Sequence, residues 1–294
     1  MPGVFVTGAT GVVGSAVVQN LLDRGERVVA GVRDPAAADR LPTGAEAREF
    51  DFGASPDEVA RCLQGTDRLF LMRPPPIADV ARFLFPGVDV ARQVGMRQVV
   101  FLSLQGVQAN RATPHHAMES YLRQVKAPYT FLRPNFFMQN LSTTYADQIR
   151  DTSEIAVPAG RSRTAFIDAR DIGKVAAAVF TSDGHLGRAY TLSGEQSLSY
   201  ADVARIMSNA LGRTISYTRP SEADYLSALA AHGAPDDYIA VQKMIYRVVR
   251  LNVSAIPNRT VRRLTGGPAT TFETFAHDYQ AVWRPQQTGT SGLR

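Results

Sequence analysis

The chain has one cysteine, Cys62, in 294 residues, so no intrachain disulfide can form. That scarcity fits a reducing compartment. No apolar run approaches the ~20 residues that a membrane-spanning helix needs. The first strand begins almost at once, leaving no room for a signal peptide, and a cytoplasmic location is expected. There is no basic stripe with interleaved aromatics, and Arg259, Arg262 and Arg263 form only a local cluster. The net charge of +5 therefore reads as a solvated face plus affinity for cofactor phosphates, with no nucleic-acid partner expected. No metal site and no membrane partner are expected either. With 45% hydrophobic and 20% charged residues, the composition is that of a globular protein. The length suits one large α/β domain or two joined ones.

What is present is a glycine turn at the very start. Val4-Phe5-Val6 runs into Thr7-Gly8-Ala9-Thr10-Gly11-Val12-Val13-Gly14, with spacing G-x-x-G-x-x-G. This is close to the dinucleotide fingerprint. Gly8 allows the tight turn, Gly11 lets a pyrophosphate approach the main chain, and Gly14 lets the helix pack closely on the strand. A helix N-terminus offers unpaired N–H groups and partial positive charge to phosphates. Gly8, Thr10, Gly11, Val12 and Val13 are the expected contacts. Val13, Ala16, Val17, Leu21 and Leu22 fall at helical spacing, Gly25 ends that helix, and 27–32 reads as a second buried strand. That strand ends at Arg33-Asp34, about twenty residues past the glycines. An acidic residue there binds the ribose 2′-OH of NAD, whereas an Arg accommodates the 2′-phosphate of NADP. Arg33 points to NADP(H), and Asp34 can cap the turn that follows.

The first half alternates strand and helix. Strands are expected at 46–51, 67–72, 97–103 and 129–133, with helices at 56–63, 80–94 and 114–125. This predicts an α/β fold, a Rossmann-like doubly wound parallel sheet with a smaller C-terminal α/β substrate lobe. Ligands then collect beyond the carboxyl ends of the strands. The expected division is an NADP-binding domain over 1–150, rejoined by 164–182. A substrate lobe over 183–284 and a disordered tail over 285–294 complete it. A strand at 188–192 is placed in that lobe, and 224–249 reads as helical, broken at Gly233-Ala234-Pro235.

With these elements in place, the chain resembles the NmrA-like group of atypical short-chain dehydrogenases/reductases. The resemblance is carried by VTGATGVVG at 6–14, AGVRDP at 30–35, APYTFLRPNFFMQN at 127–140, FIDARDIGKVAAAVF at 166–180 and the segment 190–213. The group includes quinone oxidoreductases, triphenylmethane-dye reductases, ketoreductases that tailor polyketide antibiotics, and NADP-sensing regulators that catalyse nothing. The resemblance implies that Asp51 and Phe52 flank the adenine and that Met72, Arg73 and Pro74 line the nucleotide. It places Ser103 and Leu104 near the nicotinamide ribose, and Pro134, Asn135 and Phe136 beside the nicotinamide.

The wider superfamily uses a Ser after the fifth strand and a Tyr-x-x-x-Lys on the next helix. Here His115 falls where the Lys belongs, Arg111 where the Tyr belongs and Gln105 near the Ser, so the standard proton relay is absent. His115 or His116 is the candidate proton donor, Gln105 is the other candidate catalytic residue, and His115 can instead contact the cofactor ribose. Water or the substrate's own phenol can serve instead. Phe137, Tyr225, Tyr238, Met244 and Tyr246 are candidates for an apolar pocket that takes a flat, conjugated substrate. The expected activity is NADPH-dependent hydride transfer to a quinone or an aromatic or polyketide ketone, by a monomer or homodimer. A non-catalytic NADP(H) sensor is the alternative.

Overall fold

The computed structural model describes residues 2–285, so the expected tail lies almost wholly outside the described residues. In chain order the elements begin β1 (Gly3–Val6), α1 (Val12–Leu22), β2 (Val28–Val32), β3 (Glu46–Glu49), α2 (Pro56–Leu63) and β4 (Thr66–Met72). There follow α3 (Val80–Phe83), α4 (Phe85–Gln93), β5 (Gln98–Leu102), α5 (Pro114–Gln124) and β6 (Tyr129–Pro134). Next come α6 (Ala146–Thr152), β7 (Glu154–Ile155), β8 (Arg163–Thr164), α7 (Ala169–Thr181) and β9 (Arg188–Leu192). The remainder is β10 (Leu198–Ser199), α8 (Tyr200–Leu211), β11 (Ser216–Tyr217), α9 (Glu222–Ala231), α10 (Asp236–Arg250), α11 (Thr260–Thr265) and α12 (Phe272–Asp278).

Seven strands form one parallel sheet in the order β3-β2-β1-β4-β5-β6-β9. The order reverses direction between β1 and β4, which places the switch point of a doubly wound sheet directly after the glycine turn. β1, β2 and β5 are buried along their whole length, as expected where helices cover both faces. Thr7 locks the switch point: its hydroxyl donates to the Phe70 carbonyl at 3.1 Å and accepts from the Met72 N–H at 2.8 Å. α1 packs on α7 at Gly173, where a Cβ would lie 2.6 Å from the Ala16 carbonyl oxygen.

The helix expected over 80–94 is two helices. Pro86 has no N–H to give the Arg82 carbonyl, so the first helix stops and the second opens with Pro86 in its first turn. A second correction concerns 188–192. Those residues pair with β6 in the main sheet, with Leu132 opposite Tyr190, and do not build a separate lobe.

The chain divides into two compact units. Among the described residues the first comprises 2–135, 167–193 and 258–269, and the second 136–166, 194–257 and 270–285. The expected boundary at 150 thus falls at Asn135. The second unit has its own core, containing Ile149, Tyr200, Met207, Tyr246, Phe272 and Trp283. Trp283 is fully buried there, and its Nε1–H donates to the Leu141 carbonyl at 2.7 Å. None of the described helices is long and apolar enough to cross a membrane.

Candidate functional site

The glycine turn is fixed by its own backbone. Gly8 has φ +63°, which favours glycine, and the Met72 methyl sits 2.1 Å from where its Cβ would be. A Cβ on Gly14 would lie 2.0 Å from the Gly8 carbonyl oxygen, so only glycine lets α1 start this close to β1. Gly11 is the N-cap of α1 and brings no side chain to its first N–H groups, which have no partner inside the helix. Thr10 and Val12 are exposed at this end, whereas Val13 is 3% exposed and can address a ligand only through its N–H.

The two residues after β2 differ in what they are free to do. Asp34 accepts from the Ala36 N–H at 2.9 Å and caps the short turn Pro35–Arg40. Arg33 is exposed and makes no hydrogen bond or ion pair with any described residue. After β3, Asp51 is exposed and accepts from the Gly53 N–H at 2.6 Å. Phe52 packs edge-on to Phe50 with centroids 5.0 Å apart.

After β4, Arg73 folds back on its own loop. Its Nη1 donates to the carbonyls of Pro74, Pro75 and Ile77 at 3.0, 2.9 and 2.7 Å. Its Nε is buried with no hydrogen-bond partner. A buried cation with an unanswered donor suits an anionic ligand. The glycine cradle, the unengaged Arg33 and this Arg73 donor together fit the sheet end to a dinucleotide and its phosphates.

His115 lies in the first turn of α5 with its ring 6.2 Å from that of Phe101. Burial lowers its pKa to about 4, helped by the Arg73 charge and opposed by Glu119. The ring is therefore neutral near pH 7. It can donate one hydrogen bond, but it does not carry the extra proton expected of a general acid. Gln105 fares no better as an acid, because a carboxamide does not ionise near neutrality. Its backbone N–H donates to the Pro134 carbonyl at 2.9 Å, tying the loop after β5 to the end of β6. Leu104 beside it is half-buried.

Ser103 is 4% exposed, and its hydroxyl donates to Glu119 Oε1 at 2.7 Å. Arg133 grips the same carboxylate through Nε at 2.8 Å and Nη2 at 2.5 Å, and Arg123 adds a bond at 2.9 Å. Ser103, Glu119 and Arg133 thus form a buried ion cluster joining the end of β5, α5 and β6. Glu119 was legible only as a helix position, since its partners Ser103 and Arg133 lie at other strands. At the end of β6, Pro134 and Asn135 are buried, and the Asn135 N–H donates to the Leu192 carbonyl at 2.8 Å.

The expected substrate residues fall in the second unit and separate into two kinds. Tyr225 and Tyr246 are 7% and 2% exposed and belong to its core. Tyr238 and Met244 are 37% and 41% exposed on α10, with exposed Val241 between them. Phe136 packs against the core of this unit and Phe137 is half-buried beside it. Tyr145, which sequence reasoning passed over, brings its hydroxyl to 2.5 Å from that of Tyr246.

Known proteins resemble the chain in sequence and in fold. The chain is 31% identical over 287 residues to an NAD(P)H azoreductase of Xenophilus azovorans, covering 95% of this chain and 99% of that protein. It is 30% identical to the (4-alkanoyl-5-oxo-2,5-dihydrofuran-3-yl)methyl phosphate reductase of Streptomyces griseus, covering 96% and 100% of the two chains. Among solved structures, the Escherichia coli NADPH-dependent quinone oxidoreductase QOR2 in complex with NADPH superposes with a TM-score of 0.84. It is 25% identical, with 94% and 99% of the two chains covered. The model of the NmrA-like family matches residues 3–252, and the chain belongs to that family.

Proposed function

We propose that the protein is an NADPH-dependent reductase of flat, conjugated acceptors, with quinones and aromatic ketones as the substrate class. The observation that carries the cofactor choice is at the end of β2. Asp34 is committed to Ala36, while the Arg33 guanidinium is exposed and unengaged. An arginine there meets a 2′-phosphate, and an acid free to bind a 2′-OH is missing. Relatives named for the reduction of azo compounds, an alkanoyl furanone phosphate and quinones support the reaction class.

When bound, the reduced dinucleotide supplies a hydride. The rest is positioning by this chain's own residues. The α1 N–H groups and the glycine turn hold the pyrophosphate, and Arg33 the 2′-phosphate. Arg73 adds positive charge after β4. Neutral His115 donates a hydrogen bond without surrendering a proton. Hydride transfer gains most from holding donor and acceptor carbons together, so the missing Tyr-x-x-x-Lys relay does not preclude it. The exposed apolar face of α10, with Tyr238, Val241 and Met244, supplies surface suited to an aromatic ring.

The test mixes the protein with NADPH and a panel of quinones and aromatic ketones and follows the nicotinamide absorbance. Catalytic loss of absorbance with at least one acceptor is expected. Stoichiometric NADPH binding with no consumption across the panel would indicate a sensor instead.

A further inference from the structure

A cavity of about 350 Å³ lies within the first unit, at the amino ends of β4 and β5 and beside the turn that runs from α7 into β9. That volume is in the range of small-ligand sites. The glycine turn follows β1 at the carboxyl end of the same sheet, so the cavity is at the opposite end. Arg68, Gln98 and Phe180 line it, with Arg97, His185 and Leu186. Arg68 and Phe180 are 4% and 3% exposed, whereas Leu186 is 56% exposed at the solvent side.

The acceptors around this cavity are already answered. α7 ends here, and a helix C-terminus leaves carbonyls without intrahelical partners. The Ser182 hydroxyl donates to the Ala178 carbonyl at 2.7 Å, Gln98 Nε2 to the Val179 carbonyl at 3.2 Å and Arg68 Nη1 to the Phe180 carbonyl at 3.1 Å. Both ring nitrogens of His185 are engaged, by the Tyr190 hydroxyl at 2.8 Å and the Ser182 hydroxyl at 3.0 Å. Glu26 holds Arg68 Nη2 at 2.6 Å, and Asp67 is shared between Arg68 and Arg97.

The uncommitted groups are donors. The bonds from Arg68 to Asp67, Phe180, Pro2 and Glu26 use four of its five N–H groups and leave one on Nη1. Arg97 gives its Nε–H to Asp67 at 2.5 Å, and its two terminal nitrogens bond to no described residue. The backbone N–H groups of 183–186 likewise have no acceptor among the described residues. Asp183 brings one exposed acid. Against it stand Arg24, bonded to the Thr181 hydroxyl at 3.1 Å, and Arg188, whose charge acts on His185. Neither has an acidic partner among the described residues.

We propose that this cavity is a second ligand site, separate from the dinucleotide site, for a small organic oxyanion: a carboxylate or a phosphate monoester with a short apolar body. The oxyanion meets the terminal nitrogens of Arg97 and the remaining Arg68 N–H through charge-assisted bonds. The apolar body lies on Leu186. A cation finds no comparable welcome, because the carbonyls that end α7 are occupied by the protein's own donors.

The test is calorimetric titration of the full chain, in phosphate-free buffer at saturating NADP⁺, with n-butyl phosphate, butanoate and n-butylamine. The bound dinucleotide keeps the anions from the glycine turn, and the aliphatic probes do not mimic a flat acceptor. One-to-one binding of at least one anion is expected, with none of the amine; which anion binds distinguishes phosphate ester from carboxylate. Arg97→Ala removes an exposed side chain and should weaken that anion by about tenfold or more, with NADPH affinity unchanged. Leu186→Asp, also at an exposed position, sets a like charge beside the anion and should weaken it as well. Unfolding midpoints near the wild-type value show that both variants keep the fold. Binding of neither anion, binding of the amine, or wild-type anion affinity in either variant overturns the assignment.

Discussion

The Ser103 hydroxyl donates to Glu119 Oε1 at 2.7 Å, and both side chains are almost wholly buried. Arg133 answers the rest of the carboxylate. Removing one partner of a buried ion pair leaves the other charge unpaired, which costs about 3 to 5 kcal/mol. Glu119→Ala is therefore expected to lose about that much stability, read as the shift of the urea unfolding midpoint. Ser103→Ala, which removes one neutral donor, is expected to cost about 1 to 3 kcal/mol.

Two buried groups contribute to the acid limb of stability. The His115 pKa falls from 6.5 to about 4 on folding, so the unfolded chain binds more protons between those values and stability declines as pH drops through that window. Burial pushes the Glu119 carboxyl up, and the bonds from Arg133 and Ser103 more than reverse this, leaving its pKa below the usual 4.5. Its contribution is intact above 4.5 and is lost as pH falls toward the lowered folded value. His115→Gln should remove the His115 contribution to the decline and keep that of Glu119, as measured by unfolding midpoints across pH. The kcat profile should show no limb near pH 6.5 from His115.

Gly11 and Gly14 should fail differently. A Cβ on Gly14 strikes the Gly8 carbonyl at 2.0 Å, whereas one on Gly11 finds Gly8 O at 3.3 Å. Gly14→Ala is expected to destabilise the fold by about 1 to 3 kcal/mol, as overpacking does. Gly11→Ala is expected to stay within about 1 kcal/mol of wild type while weakening NADPH binding, because the methyl group stands where the pyrophosphate approaches. Thermal unfolding and NADPH titration of both variants separate the two effects.

Arg33→Ala tests the cofactor choice. A charge-assisted hydrogen bond contributes about 1.5 to 3 kcal/mol. NADPH affinity should therefore fall by about 10- to 100-fold, with NADH affinity nearly unchanged. Fluorescence titration with both dinucleotides reads this directly.

Much of the larger unit was legible because its signals are local. The glycines need particular backbone space, and apolar runs such as 99–102 mark strands buried on both faces. Other features depend on distant partners. The strand 188–192 reads the same whichever sheet it joins, and only its pairing with β6 decides. The break between α3 and α4 was legible in Pro86, but the apolar period across 80–94 hid it. The substrate candidates shared one largely apolar character, yet helix phase buries Tyr246 and exposes Met244 two positions earlier. The Glu119 cluster and the Tyr145–Tyr246 pair join residues 14 and 101 positions apart, and no motif records such meetings.

The central claim is tested most directly by kcat/KM for NADPH and for NADH with one quinone that the wild type reduces. NADPH is expected to be preferred by about tenfold or more, as one bond to the 2′-phosphate implies. Arg33→Ala should abolish that preference. Equal use of the two dinucleotides, or tight NADPH binding with no turnover of any quinone, would contradict the account.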